Sequence, residues 1–142
     1  MVSDAMFTSK SEEWETPQEL FDELNGRFAF QLDVCATERN AKCPDFYTRD
    51  QDGLKQSWSH RNWMNPPYGR QLGAWCARAD DEAKRGRFTV GLLPARTDTR
   101  WFHDFCKHWH CVFLRGRLKF KGVGKPNPAP FPSMLVYFGI PA

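Results

Sequence analysis

Apolar residues recur along the chain with two alternating spacings, one typical of helices and one typical of strands. The first stripe with helical spacing comprises Leu20, Phe21 and Leu24. It predicts a helix over about 17–25 that stops at Gly26 and is preceded by a capping box in Thr16-Pro17-Gln18-Glu19. The next residues, 28–34, are mostly apolar and alternate with period two, so they predict the first strand.

The middle of the chain repeats this pattern after a long polar interruption. Residues 37–60 are broken by Asn, Pro, Asp and Gly, and they predict loops with one short strand or helical turn. A strand over 60–64 ends at Asn65-Pro66-Pro67-Tyr68, because prolines cannot continue a ladder. Gly86 follows a second stripe with helical spacing, which comprises Leu72, Trp75, Cys76, Ala79 and Ala83. A buried strand is then predicted from 87 to 93, closed by Pro94.

The last third of the chain contains one more predicted helix and several strands. Thr97 or Asp98 is a candidate cap for a helix rich in aromatic residues. Short strands are predicted at 111–114 and 118–120, and a final strand at 133–138. Strands that alternate with helices favour an α/β fold with a mainly parallel sheet, and the closing strands, joined by short connections, are expected to be antiparallel.

The length and composition fit one folded domain. The chain has 142 residues, of which 41% are apolar and 15% aromatic. We expect the polar residues 1–13 to form a flexible arm and residues 14–142 to form a single domain. No apolar run approaches the roughly 18 residues that span a bilayer, and the amino terminus lacks the pattern of a secretory signal. We therefore expect a soluble, cytoplasmic protein with no membrane partner.

The cysteine pattern indicates reduced thiols. The five cysteines form no CxxC pair, and a chain without an export signal normally keeps its thiols reduced. The His and Cys residues between 103 and 111 match no common zinc spacing, so no metal is expected.

The net charge of +3 conceals an uneven distribution. Residues 1–83 contain 9 Lys and Arg against 15 Asp and Glu, whereas residues 84–125 contain 11 against 2. A basic half on a small domain favours a polyanionic partner such as nucleic acid, although a solvated basic surface would have the same composition. The candidate phosphate-binding residues are Arg96, Arg100, Arg115, Arg117, Lys119, Lys121 and Lys125.

The tetrapeptide Asn65-Pro66-Pro67-Tyr68 has the chemistry needed to methylate a planar exocyclic amine. The lone pair of such an amine is delocalised into the ring, so the nitrogen is a poor nucleophile. The Asn65 side-chain oxygen and the carbonyl of the next residue can accept the hydrogens of the amine and aim its lone pair at a methyl donor. The prolines orient that carbonyl, and Tyr68 offers an aromatic face on which an extruded base can stack.

With these residues in place, the chain from Trp14 to Phe138 resembles the phage-type DNA N-6-adenine methyltransferases, a Dam-like family of S-adenosylmethionine-dependent enzymes. The landmarks of the resemblance are Trp14-Glu15-Thr16-Pro17, Leu32-Asp33-Val34-Cys35-Ala36, Asp52-Gly53-Leu54, Trp63-Met64-Asn65-Pro66-Pro67-Tyr68-Gly69, Leu92-Leu93-Pro94-Ala95-Arg96-Thr97-Asp98-Thr99, Gly116-Arg117-Leu118-Lys119-Phe120 and Ala129-Pro130-Phe131-Pro132-Ser133. An NPPY tetrapeptide alone also occurs in protein and RNA amino-methyltransferases. The order of all the landmarks is what makes the resemblance specific.

The resemblance implies a truncated Rossmann-like methyltransferase fold that binds S-adenosylmethionine and double-stranded DNA, with GATC as the first candidate recognition sequence. Thr16-Pro17 would hold the methionine carboxylate of the cofactor, in keeping with a helix N-terminus as an anion site. Asp33 would face the methionine ammonium, and Asp52 would meet the adenine amino group. Asn65-Pro66-Pro67-Tyr68 is implied to be the catalytic loop. A phage-encoded enzyme would act in the host cell cytoplasm.

Three features depart from the family pattern or leave alternatives open. Cys35-Ala36-Thr37 stands where a Gly-x-Gly loop would follow Asp33, and Cys35 and Ala36 are the candidate cofactor contacts there. Only 31 residues separate Asp33 from Asn65, so strands between them must be shortened or missing. Asp33 could also simply cap the turn after its strand.

Two other functions fit the sequence. One is methylation of RNA or of a protein amide, and the other is a catalytically idle module that binds nucleic acid or regulates a partner. The oligomeric state, monomer or homodimer, stays open.

Overall fold

The computed structural model describes residues 13–122, 124–125 and 128–142. Apart from Glu13, the arm predicted for residues 1–13 lies outside the described residues, and the single-domain boundary at residue 14 stays a prediction.

A six-stranded sheet forms the centre of the described structure, in the order β2-β1-β3-β4-β6-β5. The strands are β1 (Leu32–Asp33), β2 (Asp45–Phe46), β3 (Arg61–Met64), β4 (Phe88–Pro94), β5 (Trp109–Phe113) and β6 (Ser133–Pro141). The pairings of β1 with β2, β1 with β3 and β3 with β4 are parallel, whereas β6 is antiparallel to both β4 and β5. The predicted α/β fold with antiparallel closing pairs is confirmed. The two-residue length of β1 and β2 agrees with the expected shortening before Asn65.

Two α-helices and two short helical turns accompany the sheet: α1 (Gln18–Phe28), α2 (Leu72–Lys84), a 3-10 helix (Gly53–Lys55) and a π-helical turn (Phe102–Cys106). The buried Phe21 of α1 packs its ring against Trp63 of β3, at a centroid distance of 5.4 Å. Helix α2 packs against β4, β6 and the π-helical turn. As predicted, Gly86 follows α2, and its positive φ of 87° is a conformation that glycine adopts readily.

The start and end of α1 differ from the prediction. Thr16 makes no capping bond, and the helix passes Gly26 to end at Phe28. Ala29 takes the left-handed conformation, with φ of 51°, and its N–H donates to the Asn25 carbonyl. Phe28 packs against Phe88 and Tyr137, at centroid distances of 5.0 and 5.2 Å, so tertiary contacts favour the extra helical residues. The strand predicted at 28–34 is therefore confined to β1.

Two further predictions in the last third are wrong. The N-terminal hydroxyl of the third helical segment belongs to Thr99, which accepts a hydrogen bond from Phe102 N–H, and not to Thr97 or Asp98. Residues 118–120 form no strand; the Leu118 carbonyl accepts from Ala129 N–H instead. Lys121 makes an isolated antiparallel bridge with Glu15, with reciprocal N–O distances of 2.9 and 3.0 Å. A partner from the start of the chain thus takes the place of the expected neighbouring strand.

Within the described residues, no helix is long and apolar enough to cross a membrane. The same part of the chain contains no group of three or more His, Cys, Asp or Glu arranged to hold a metal ion.

Candidate active site

A cavity of about 630 Å³ opens at the carboxyl ends of β1 and β3. This volume lies in the range of small-molecule sites, and the carboxyl edge is where open α/β sheets bind ligands. Of the predicted site residues, those that line the cavity are Thr16, Asp33, Cys35, Ala36, Asp52, Asn65, Pro66 and Pro67. The sheet thus brings together residues that lie far apart in the sequence.

Asn65 follows β3 directly and has an unusual set of hydrogen bonds. Its Nδ2 donates to the Trp14 carbonyl and, at 2.9 Å, to the hydroxyl of Thr16, which is 3% exposed. A main-chain carbonyl can only accept, so these contacts fix which end of the amide is the nitrogen. The opposite atom, Oδ1, is buried and has no donor among the described residues. The loop therefore presents an oriented acceptor whose partner is missing.

Tyr68 lies apart from the cavity lining. Its ring is 6% exposed and makes T-shaped contacts with the rings of Phe120 and Phe131, at centroid distances of 6.2 and 5.7 Å. Its hydroxyl donates to the Leu92 carbonyl at 2.9 Å. The ring that the sequence predicts to be open is thus buried, and stacking of a base on Tyr68 stays a prediction. Pro17 also lies outside the lining.

Asp33, at the end of β1, is 2% exposed and lines the cavity. Its two carboxylate oxygens accept from the backbone N–H groups of Cys35, at 3.3 Å, and Lys42, at 3.0 Å. Burial raises the pKa of Asp33 to about 7, against the lowering effect of these two hydrogen bonds. A cation next to this carboxylate would favour its charged form. The geometry accommodates both interpretations of Asp33, as a turn cap and as a ligand for an ammonium.

Asp52 contributes another carboxylate to the lining of the cavity. It has a positive φ of 56°, and its Oδ1 accepts from Leu54 N–H at 3.1 Å. Cys35 lies in the same cavity, and burial, reinforced by the nearby charges of Asp33, Glu13 and Asp52, raises the pKa of its thiol to about 12. This shift favours the neutral thiol of Cys35, which is the less nucleophilic form.

The structure adds residues that the sequence did not single out. The Trp14 carbonyl, which holds Asn65, is a main-chain atom and has no sequence signal of its own. Trp75, which belongs to the second stripe with helical spacing, is buried and also lines the cavity. The wall near Thr16 is closed by Glu15, which accepts hydrogen bonds from Arg39 and Asn40.

The predicted DNA-binding cations lie on the surface. Arg96, Arg100, Arg115, Arg117, Lys119 and Lys121 are all exposed, and none of these six forms an ion pair with another described residue. The Nζ of the partly buried Lys125 lies 4.0 Å from the centroid of the Trp14 ring. The main chain of Lys121 forms a β-bridge with the main chain of Glu15, and Glu15 lines the cavity. One end of the basic segment therefore adjoins the cavity.

A parallel sheet with one antiparallel strand from the end of the chain, and a cavity at its carboxyl edge, defines a Rossmann-like α/β protein of the methyltransferase class. Comparison with known proteins gives the family. The family model described as DNA N-6-adenine-methyltransferase (Dam) matches residues 4–138, and the chain belongs to this family. The resemblance inferred from the sequence motifs is thereby confirmed.

Individual relatives agree with this assignment. The chain is 35% identical over 94 residues to a DNA N-6-adenine-methyltransferase of Escherichia phage T1, a match that covers 64% of this chain and 39% of that protein. It is 36% identical over 104 residues to a DNA N-6-adenine-methyltransferase of Haemophilus phage HP1, covering 70% of this chain and 60% of the relative. A putative methyltransferase of Escherichia coli K12, YfdM, is 35% identical over 65 residues, covering 40% of this chain and 71% of that protein. The matched region thus spans 39% to 60% of the length of the two phage enzymes.

Proposed function

We propose that this chain transfers a methyl group from S-adenosylmethionine to the exocyclic amine of adenine in double-stranded DNA. The observation that carries the proposal is the buried Asn65 Oδ1, an oriented acceptor without a donor among the described residues, in a side chain that lines the cavity beside Pro66 and Pro67. Membership of the Dam family and the names of the two phage relatives support DNA adenine as the substrate. The phage relatives also support action in the host cell cytoplasm.

The cavity fits a cofactor with the chemical groups of S-adenosylmethionine. Asp33 provides a buried carboxylate for an ammonium, and Asp52 provides a carboxylate for an amino group. Thr16 and Lys42, which also line the cavity, provide a hydroxyl and a cation for a carboxylate. When bound, S-adenosylmethionine supplies an electrophilic methyl group on a sulfonium.

Asn65 acts on the target amine. Its Oδ1 accepts one hydrogen of the amine, which weakens conjugation of the nitrogen lone pair with the ring and orients that lone pair into the cavity. The Thr16 hydroxyl and the Trp14 carbonyl keep Oδ1 in place, because both hydrogens of Nδ2 are engaged with them. The transfer needs no protein nucleophile, in keeping with the raised pKa of the half-buried Cys35 thiol.

Duplex DNA is the partner that the exposed cations favour. Four exposed cations follow β5 on one continuous segment: Arg115, Arg117, Lys119 and Lys121. The main chain of Lys121, the last of them, forms a β-bridge with Glu15 at the cavity. Phosphates bound along this segment would place the duplex next to Asn65, from where an extruded adenine could enter.

The proposal is tested by transfer of tritiated methyl from S-adenosylmethionine to unmethylated duplex DNA, followed by nucleoside analysis. We expect label in N6-methyladenine. Asn65→Ala should reduce transfer by roughly 10²-fold or more, as is found for positioned groups that act in the transition state. Its affinity for S-adenosylmethionine should stay within a few-fold of wild type, because Asn65 acts on the acceptor and not on the donor.

Asp33→Ala is the reciprocal variant and should weaken S-adenosylmethionine binding first. Transfer by Asn65→Ala at the wild-type rate would remove Asn65 from the reaction. Wild-type protein that binds DNA but neither binds S-adenosylmethionine by calorimetry nor transfers methyl would instead be a nucleic-acid-binding module. Label in RNA or protein but not in DNA would change the substrate class.

A further inference from the structure

Trp75 carries a polar group that the proposed mechanism does not use. The residue lies in α2, is 4% exposed and lines the cavity. Its indole Nε1–H is buried, and no acceptor for it exists among the described residues. The buried or half-buried tryptophans Trp58 and Trp109 differ, because their indole N–H groups donate to the Gly53 carbonyl and to the Asp80 carboxylate, each at 2.8 Å.

A buried donor without an acceptor is destabilising, so folded proteins pair nearly all such groups with protein, water or ligand. The Trp75 ring is held on the protein side by two contacts. Trp58 stacks against it with a centroid distance of 6.4 Å and an interplanar angle of 26°. A Cβ atom on Gly53 would lie only 3.1 Å from Cη2 of Trp75. The indole is therefore fixed in place. Its N–H has no acceptor among the described residues, and Trp75 is one of the residues that line the cavity.

The neighbourhood of Trp75 indicates which part of a ligand it meets. Gly53 leaves space for the benzo ring of the indole, since a Cβ there would lie 3.1 Å from Cη2, and Gly53 and the preceding Asp52 line the same cavity as Trp75. Asp52 provides an acceptor, and Trp75 provides a donor. An adenine ring carries an amino donor next to ring-nitrogen acceptors, so the pair is complementary to adenine in its hydrogen-bonding groups.

We infer that Trp75 is a cofactor-binding residue whose indole N–H donates to an acceptor atom in the adenosine part of the methyl donor. The inference rests on the proposed function for the presence of that cofactor, and it adds a donor to a site whose predicted nucleoside contact, Asp52, is an acceptor. No bond is made or broken at Trp75, which contributes affinity and orientation.

The test uses the indole N–H resonances of the six tryptophans in the full chain, observed by nitrogen-15 NMR. Adding S-adenosylhomocysteine, the stable product form of the cofactor, should shift the Trp75 indole proton downfield, as a new hydrogen bond does. Millimolar adenosine should shift the same resonance, whereas millimolar L-methionine should not. The Trp109 resonance should stay in place throughout, since its acceptor is Asp80.

Calorimetry provides the second readout. Trp75→Phe removes the N–H and retains an aromatic ring, and should weaken S-adenosylhomocysteine binding about tenfold, the effect of one net hydrogen bond. The matched variant Trp109→Phe loses an N–H of the same kind that is bonded within the protein, and should bind with wild-type affinity. Thermal melting of both variants checks that they are folded.

The outcomes separate the inference from the proposed function. Wild-type protein that binds neither S-adenosylmethionine nor its product overturns the proposed function. Wild-type protein that binds the product without a shift of the Trp75 resonance overturns the inference alone and assigns a bound water to the indole N–H. A shift with L-methionine but not with adenosine also overturns it, because the indole would then face the amino-acid end. If Trp75→Phe does not fold, the wild-type NMR result decides.

Discussion

At the scale of single residues, the site depends on polar atoms whose partners are nearly all accounted for. Asn65 donates both hydrogens of Nδ2 to the protein, and only its buried Oδ1 has no hydrogen-bond partner among the described residues. Asp33 engages each of its two oxygens with one backbone amide. Since a carboxylate oxygen has more than one lone pair, Asp33 can hold its turn and still accept from a ligand. The side chains that hold the local structure are thus the same ones that we propose to bind the ligand.

Thr16 allows a direct test of how Asn65 is held. Thr16→Val retains the shape of the side chain but removes the hydroxyl that accepts from Asn65 Nδ2. The amide therefore loses one of the two hydrogen bonds that orient it. We expect kcat for methyl transfer to fall about tenfold, the effect of one net hydrogen bond. The Kd for S-adenosylmethionine should rise as well, because the same hydroxyl is proposed to meet the cofactor carboxylate. Thr16→Ser retains a hydroxyl and should restore kcat.

An effect on cofactor binding alone has a clear meaning. If Thr16→Val weakens S-adenosylmethionine binding and leaves kcat alone, then Thr16 holds the methionine carboxylate, as the family resemblance implies, and does not position Asn65.

Asp33 makes a prediction about protons. In the free protein its pKa is raised to about 7, so at pH 6 its carboxyl group is mostly protonated. An arriving ammonium favours the charged carboxylate, and an α-amino group is already protonated at that pH, so binding should release roughly one proton at pH 6. Calorimetric titrations of S-adenosylmethionine in two buffers of different ionisation enthalpy measure this release.

The sign of the effect on the free fold follows from the same shift. Because the folded pKa lies above the unfolded one, the contribution of Asp33 to stability is most favourable at acid pH and is lost as pH rises through about 7.

The control for the calorimetric titration is Asp33→Asn, which should show no linked proton. Heats at pH 6 that do not depend on the buffer would return Asp33 to the role of a turn cap.

At the scale of elements, the short 3-10 helix follows β2 in the chain and lies in space between α2 and the end of β1. Arg78 of α2 donates to the carbonyls of Leu54, at 2.6 Å, and Gln56, at 2.5 Å. Trp58 donates to the Gly53 carbonyl. This clamp positions Asp52 at the cavity without a long strand, in a chain whose β1 and β2 have two residues each.

Gly53→Ala tests this clamp. A Cβ at position 53 would lie 2.1 Å from the Val34 carbonyl oxygen, a backbone atom that cannot rotate away. We expect the substitution to lower the free energy of unfolding by about 1–3 kcal/mol or more, as overpacking does. Urea denaturation of the purified protein measures the change.

Gly26 provides the matched control. It lies within α1 and is exposed, and a Cβ atom added there would meet no atom outside its own helical turns within 4 Å. Gly26→Ala should therefore raise the free energy of unfolding by roughly 0.5–1 kcal/mol through helix propensity. Equal effects of the two substitutions would contradict the clamp.

At the scale of the whole molecule, the basic segment after β5 has two roles in the structure. Its exposed cations, Arg115, Arg117, Lys119 and Lys121, carry the charge that favours DNA, and its Phe120 packs against Tyr68 together with Phe131. Lys119 and Lys121 flank Phe120 in the sequence. The exposed cations and the phenylalanine that packs against Tyr68 therefore lie on one stretch of chain.

Neutralising Lys119 and Lys121 together to Gln tests the DNA contact. If both meet phosphates, binding to all duplex sequences should weaken about equally, and the slope of log K against log salt should become shallower by roughly two units. Preference for a cognate sequence should survive, because phosphate contacts do not identify bases. The measurement is a salt series of binding isotherms on cognate and scrambled duplexes.

Lys55→Gln, an exposed lysine outside the basic stretch, should leave the slope unchanged. A double variant with the wild-type slope would move the DNA away from this segment, with Arg96 and Arg100 as the next candidates.

The elements whose patterns are local can be predicted from the sequence. Helix α2, the strands β3, β4 and β6, and the end of β3 at Asn65 all follow from spacing and from the position of proline and glycine. The placement of Asp33 and Asn65 at one cavity also follows, because parallel strands end at the same edge of a sheet. The elements themselves need only short-range information, whereas the shared edge follows from the general rule for parallel sheets.

Which atoms meet across long stretches of chain became visible only in the folded structure. Thr16 bonds Asn65 instead of capping α1, and Lys121 pairs with Glu15 instead of a neighbouring strand. Likewise, the indole N–H of Trp75 has no acceptor in the described structure, although its spacing is that of any core residue. A hydroxyl, an amide or an indole can bond many partners with similar energy, so its choice depends on the packing of the whole molecule and not on the residues beside it.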